Sequence, residues 1–278
     1  MTLHAPSYAG GFASPERGLI DRSLWNGVVG AWAPSLGATG LTLRDNSLHG
    51  SDGTIAGATE SEAWADVPRG MTFDGTDDYV ALTKSVNYSH SITISAWVRI
   101  NAADHSYEIA VGRDTDGSNR GYILSKGGIT VERWHFILGA GGTSAISATS
   151  ITTDLTHIVG THDGVTMKIY VNGELDGSAA NTTTATGSSA YNLGRRAFSS
   201  HEQYLNGTID DTTIWSRALS ANEIQTLHRL GPGGMYRRKR RVIASNPIAA
   251  PAAGRINSLI GVGGGMIGYG GGMIGRGY

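Results

Sequence analysis

His157-Ile-Val-Gly-Thr-His-Asp-Gly-Val-Thr-Met-Lys-Ile-Tyr-Val-Asn-Gly173 spells out paired strands and their turns. A strand from Ile158 to His162 leads through Asp163-Gly164 into Met167, Ile169 and Val171, which share one face, and Asn172-Gly173 reverses the chain again. Asp-Gly and Asn-Gly tolerate the positive φ angles of type I′ turns, whose twist matches that of paired strands, so antiparallel hairpins are predicted. Upstream, Ile92, Ile94, Ala96, Val98 and Ile100 fall on one face of a strand. Thr93, Ser95, Trp97 and Arg99 fall on the other, which is the pattern of a half-buried strand. Similar short segments, separated by turn signals, recur through the body of the chain at the spacing of a sandwich or jelly roll.

Composition agrees with this reading. The 278 residues include 41 glycines but only 7 prolines, which suits many tight turns, and 40% hydrophobic residues suffice for a large core. One helix is predicted after the last strand. Ser220-Ala-Asn-Glu223 is a capping box, Leu219 and Ile224 form a hydrophobic staple, and Gly231-Pro232 stops the helix. The fold expected is an all-β, antiparallel two-sheet jelly-roll sandwich, with one short C-terminal helix and an extended tail.

Three regions follow from composition and charge. Residues 1–20 read as an Ala/Ser/Pro/Gly-rich N-terminal arm, 21–230 as the sandwich, and 231–278 as a basic, glycine-rich C-terminal tail. The tail carries Arg237, Arg238, Lys239, Arg240, Arg241, Arg255 and Arg276 and no acid, so it is +7 while the rest of the chain is −8. Such segregation points to two parts with different partners. The unit Gly-Gly-Gly-Met-Ile-Gly occurs twice, at 263–268 and 270–275. Met266, Ile267, Met273 and Ile274 would be poor solvated linkers, so they are predicted to bury against a partner, with Arg237 to Arg241 answering its acidic surface. Nucleic acid is disfavoured as that partner, because only Tyr236 accompanies the basic run and no recognition fold does. No cysteine is present, which excludes disulfides and thiolate metal sites. Residues 1–11 do not form a signal peptide, and no run of about 18 apolar residues suggests a membrane helix.

Seven short motifs in order across roughly residues 24–230 resemble the laminin-G-like, pentraxin-related jelly rolls of the concanavalin A-like lectin/glucanase superfamily. They are Asp45-Asn-Ser-Leu-His49-Gly50, Phe73-Asp-Gly-Thr-Asp-Asp-Tyr-Val80, Ile92 to Val98, His157 to Gly164, Ile169 to Gly173, Leu205 to Asp211, and Ile214 to Ser220 followed by Glu223-Ile224. One departure is Leu155, where the family often has tryptophan. The resemblance implies a structural Ca2+ held by Asp45 and Asp210, with carbonyls near His49 or Gly50. On the competing reading, Asp45 caps a turn and Asp210 pairs with a base such as Arg217.

Catalytic signals are missing. Glycosidases of this fold carry paired carboxylates on one strand, in a Glu-x-Asp-x-x-Glu string that this chain lacks. Glu60, Glu62 and Asp66 read as a solvated loop, and Asp74, Asp77 and Asp78 as an acidic turn. His157 and His162 lie five apart on one strand, so they face opposite sides and share no metal. The chain is therefore expected not to be an enzyme. A glycan site would need an exposed aromatic beside planar polar groups; the candidates are Tyr107, Tyr122, Trp134 and Tyr191 with Arg113, Asp116 and Asn119. The leading expectation is a non-catalytic structural or adhesion protein, of the phage capsid-decoration or fibre type. It would sit on a virion or extracellular surface and dock to other protein subunits through its tail. The alternatives are a calcium-supported carbohydrate-binding module and, more remotely, a divergent glycoside hydrolase.

Overall fold

A computed structural model describes residues 23–66, 70–84, 91–101, 108–114, 120–127, 132–138, 143–185, 190–196 and 203–236. Residues 1–22 and 237–278 lie outside that set, so the N-terminal arm and most of the tail have no structural account here.

Two antiparallel sheets form the sandwich. The back sheet runs, in spatial order, Val28–Trp32, Asn206–Trp215, Ile92–Ile100, Thr156–His162, Thr166–Val171 and Glu174–Ala180, with Met71–Asp74 paired to the start of Asn206–Trp215. The front sheet runs Thr143–Ser150, Arg133–Leu138, Arg120–Gly127, Glu108–Asp114, Asn192–Leu193, Tyr79–Leu82, Gly53–Ala56 and Thr42–Leu43. Between them lies the main core, built from Ile92, Ile94, Val98, Ile158, Ile169 and Ile214 of the back sheet against Val80, Val111, Leu124 and Phe136 of the front. Gly160 is required here: a Cβ at that position would sit 2.2 Å from the Phe136 ring.

The hairpins form as predicted, but their turns differ. Asn172 and Gly173 have φ of 51° and 87°, as a type I′ turn demands. At the preceding turn only Gly164 has positive φ (96°). There the Asp163 carboxylate accepts the Val165 and Thr166 amides, at 3.0 and 2.7 Å, and closes a longer loop. The residues Glu60–Ala63, expected as loop, form a single helical turn with a Thr59/Glu62 capping box, and Asp66 pairs with Arg99. Glu62 and Asp66 thus each have a structural partner.

The larger correction concerns the back of the back sheet. Thr93, Ser95 and Trp97 were expected on an open face, yet all three are buried. A second core covers them. Leu24, Trp25, Leu219, Ile224, Leu227, Met235 and Tyr236 close over this face and over Tyr170 and Trp215 of the sheet, brought there by a 3-10 turn at Ser23–Trp25, the helix Ala221–Leu230 and a 3-10 turn at Gly234–Tyr236. The helix starts as its capping box predicts: the Ser220 hydroxyl accepts the Glu223 amide while Glu223 reaches back to the Ser220 amide at 2.8 Å. Ser220→Ala is expected to cost roughly 1 kcal/mol, read from urea midpoints.

The packed body therefore extends past Leu230. Met235 and Tyr236 are 4% and 1% exposed, and the Tyr236 ring meets Trp25 edge-on at 5.6 Å. Two residues of the segment read from composition as tail thus pack with the body, as an aromatic anchor after the Gly-Pro-Gly-Gly stretch. Among the described residues, no helix is long and apolar enough to cross a membrane.

Candidate functional site

The expected glycan platform is placed first. Tyr107, Asp116 and Asn119 lie outside the described residues. Tyr122 is 1% exposed, stacks on Phe136 at 5.6 Å and donates to or accepts from His162 Nδ1 at 3.0 Å. Arg113 is 2% exposed with its guanidinium over the Tyr191 ring, and Tyr191 and Trp134 are buried as well. None of these four offers a surface to a sugar; they fill and order the sandwich. The tail candidates Arg237, Arg238, Lys239, Arg240, Arg241, Met266, Ile267, Met273 and Ile274 also lie outside the described residues.

The pair nominated for calcium does not fit a shared ion. Asp45 Oδ1 accepts the Ala31 and Ser47 amides, and Oδ2 accepts the Ser47 hydroxyl and Ser51 amide, all between 2.7 and 2.9 Å. Four donors occupy the four in-plane lone-pair positions of a carboxylate, so Asp45 ties a loop together rather than offering oxygens to a cation. Asp210 is fully buried, and its Oδ1 holds the Ser35 and Asp211 amides at 3.1 and 2.8 Å. Arg217 pairs with Glu223 at 2.6 Å, not with Asp210. Asp74, Asp77 and Asp78 have carboxylate oxygens within 4.8 Å of one another. Asp78 accepts the Asp74 amide and Asp74 the Thr76 amide, which accounts for the cluster as the scaffold of a tight turn.

The most unusual chemistry lies under the second core. Between Asp210 and Thr213 the strand carries one residue more than its neighbour Ile92–Ile100, a bulge at which Asp211 adopts φ 45°. The bulge brings Asp211 to the outer side of the sheet. There it lines a small chamber with Ser95, Trp97, His157, Thr213, Trp215, Leu227 and Met235, with room for about one water. Asp211 Oδ2 accepts the Gly233 amide at 3.0 Å, while the Tyr236 hydroxyl lies beside the Asp211 carboxyl and the Thr213 hydroxyl. His157 Nε2 meets the Ser95 hydroxyl at 2.9 Å, and its ring stacks with Trp97 and His228 at 4.9 and 5.7 Å.

Burial dominates the electrostatics. It pushes the Asp211 carboxyl up to about 8, with the neighbouring Asp210 adding to the rise. Burial, with help from His228, pushes His157 down to about 3. Both groups are therefore neutral inside the chamber at pH 7. Their stability linkages have opposite signs. Asp211 is raised above its ordinary 3.8, so its contribution is complete below that value and is lost as pH rises toward 8. His157 is lowered from 6.5, so its contribution is present above 6.5 and lost as pH falls toward 3. The two oppose each other from about pH 4 to 6.5, and Asp211 acts without His157 above that. Stability is expected to drop by about 1.6 kcal/mol in all between pH 6.5 and 8, and the drop should vanish in Asp211→Asn. Urea midpoints at the two pH values check both statements.

A second arrangement is half-exposed. The Arg195 guanidinium lies over the Tyr79 ring at 4.4 Å and over the Tyr204 ring at 5.6 Å, and Arg196 meets Gln203 at 3.3 Å. The short ribbon Arg195–Arg196 with Gln203–Tyr204 sets these side chains beside the strand Tyr79–Leu82. Tyr79 and Tyr204 are far apart in sequence, and no motif flags them. Asp211 did leave a trace: two successive carboxylates inside Ile209-Asp-Asp-Thr-Thr-Ile214 break the alternation, as a bulge does.

With the topology in place, comparison with known proteins decides the family. A laminin G-type family model of the concanavalin A-like lectin/glucanases superfamily matches residues 74–225, more than half of the chain. The chain belongs to this superfamily. Among solved structures, this concanavalin A-like chain is similar to the receptor binding domain of botulinum neurotoxin C/D mosaic serotype, at 16% identity and TM-score 0.56, over 73% of this chain and 51% of that one. It is also similar to Trypanosoma rangeli sialidase in its covalent intermediate complex with 2,3-difluorosialic acid, at 20% identity and TM-score 0.58, over 73% and 32%. The chain thus spans about half the length of the toxin domain and about a third of the sialidase. At these identities the likeness establishes the fold. No curated protein matches the chain.

Proposed function

We propose that this concanavalin A-like chain is a non-catalytic structural and adhesion protein, a jelly roll displayed on a larger assembly such as a virion and moored by its basic C-terminal segment. One observation carries the reading: Met235-Tyr236, immediately before the five cations in sequence, is buried in the second core and gives that segment a packed root. The opposite charges of body and tail suit docking of the tail to a neighbouring copy. The described carboxylate pairs support a non-catalytic role. Glu108 and Glu132 close on Lys126, and Asp210 and Asp211 lie beneath the second core, so neither pair flanks an open cleft. The test is to replace Arg237, Arg238, Lys239, Arg240 and Arg241 by serine. Salt-sensitive association of the full chain should be lost while its urea midpoint is unchanged. Unaltered association would reject the mooring.

A second reading, glycan binding by the sandwich, is favoured by the Tyr79–Arg195–Tyr204 stack, which sets aromatic rings beside planar polar groups at the surface. On this reading, a glycan bound on an array by the wild type is lost in Arg195→Ala. Binding that survives the substitution would remove this stack from consideration.

A further inference from the structure

One wall of the buried chamber is not sheet but the last turn before the basic segment. Gly233 donates its amide to Asp211, and the Tyr236 hydroxyl lies beside both the Asp211 carboxyl and the Thr213 hydroxyl. Asp211 therefore touches the body through the sheet and the tail root through its side chain. We propose that Asp211 is a proton-operated latch: protonated, it holds Gly233 to Tyr236 against the back sheet; ionised, it releases them. The proposal rests on reading the segment beyond Tyr236 as a mooring, and it adds a control to it.

An ionised carboxylate with no cation beside it is costly in an enclosed apolar site, and it escapes by regaining water. The sheet cannot move to admit water, because the bulged strand is paired on both sides. The turn Gly234–Tyr236 can, since it is held by side-chain packing and by turn hydrogen bonds to Gly231 and Gly233. The titratable neighbours are Asp210 on the same strand, Tyr236 from the turn, His157 across the chamber and His228 from the helix, and His157 is neutral above pH 6.5. The arginines of the surrounding elements are engaged elsewhere: Arg99 with Asp66 and Thr208, Arg217 with Glu223, and Arg229 with Thr226. No cation among these groups stabilises the ionised form. The raised carboxyl of Asp211 puts the transition near pH 8.

Hydrogen exchange on the full chain tests the latch, with labelling times scaled for the intrinsic pH dependence of exchange. Peptides covering 231–236 should lose protection by about 15-fold between pH 6.5 and 8, the ratio set by linkage to a single proton. Peptides from Ile92–Ile100 and Thr156–His162 should not. In Asp211→Asn, which keeps the shape of the neutral acid, the root should stay protected at both pH values. A wild-type root equally protected at both pH values would overturn the latch, whatever the variant does. So would an Asp211→Asn chain that folds and keeps the wild-type pH dependence. The mooring is judged separately, by the mass of the full chain in solution at pH 6.5, so the two readings can fail independently.

Discussion

Lys126→Ala is expected to lower the unfolding free energy by about 3–5 kcal/mol, the cost of leaving buried charge without its partner. Lys126 is fully buried, with its Nζ 2.6 Å from Glu108 and 3.5 Å from Glu132, themselves 3% and 5% exposed. Glu108 also accepts the Asn206 amide at 2.9 Å, so the ion cluster ties the front sheet to the start of the central back strand. Removing the cation takes this ion pair from two buried carboxylates. Converting all three together, as Glu108→Gln, Lys126→Met and Glu132→Gln, should restore most of the stability, because a neutral cluster has no unpaired charge. Urea midpoints of the single and triple variants at pH 7 check this. A single-variant cost under about 1 kcal/mol would mean that water reaches the cluster.

Truncation gives the second large effect. A chain ending at Leu230 loses Met235 and Tyr236, each worth about 1.5–3 kcal/mol when fully buried. It also leaves Trp25 without its edge partner. An expected loss of about 3–6 kcal/mol is a large part of ordinary domain stability. A chain ending at Tyr236 should match the full chain. If both truncations unfold at the same urea concentration, the second core does not depend on the tail root.

The inner half of this architecture was legible from sequence because its physics is periodic. Ile92 to Ile100 alternates, Asn172-Gly173 takes the two positive φ angles, and Ser220 and Glu223 cap one another as their spacing requires. The outer core was not, because its sheet side is polar: Thr93 and Ser95 read as solvent-facing, and their hydroxyls instead bond to the Arg217 carbonyl and to His157. Trp97 among them was the one hint of a covered face. Burial also reassigned the expected ligand residues. Tyr122 and Arg113 alternate onto faces that the sequence cannot label as open or closed, and Asp45 satisfies its four donors locally. The Asp211 site depends on a bulge that joins residues 95, 157, 211 and 235, contacts that exist only after the strands have paired.

The most direct test of the mooring is the mass in solution of the full chain and of a chain ending at Tyr236, measured by light scattering across concentration and salt. The account predicts that the full chain associates beyond its 29.1 kDa single-chain mass at low salt, and dissociates as salt screens the basic segment. The truncated chain should remain a folded single chain throughout. Full and truncated chains that both stay single at every concentration would contradict self-docking through the tail and leave glycan binding by the sandwich as the reading to pursue.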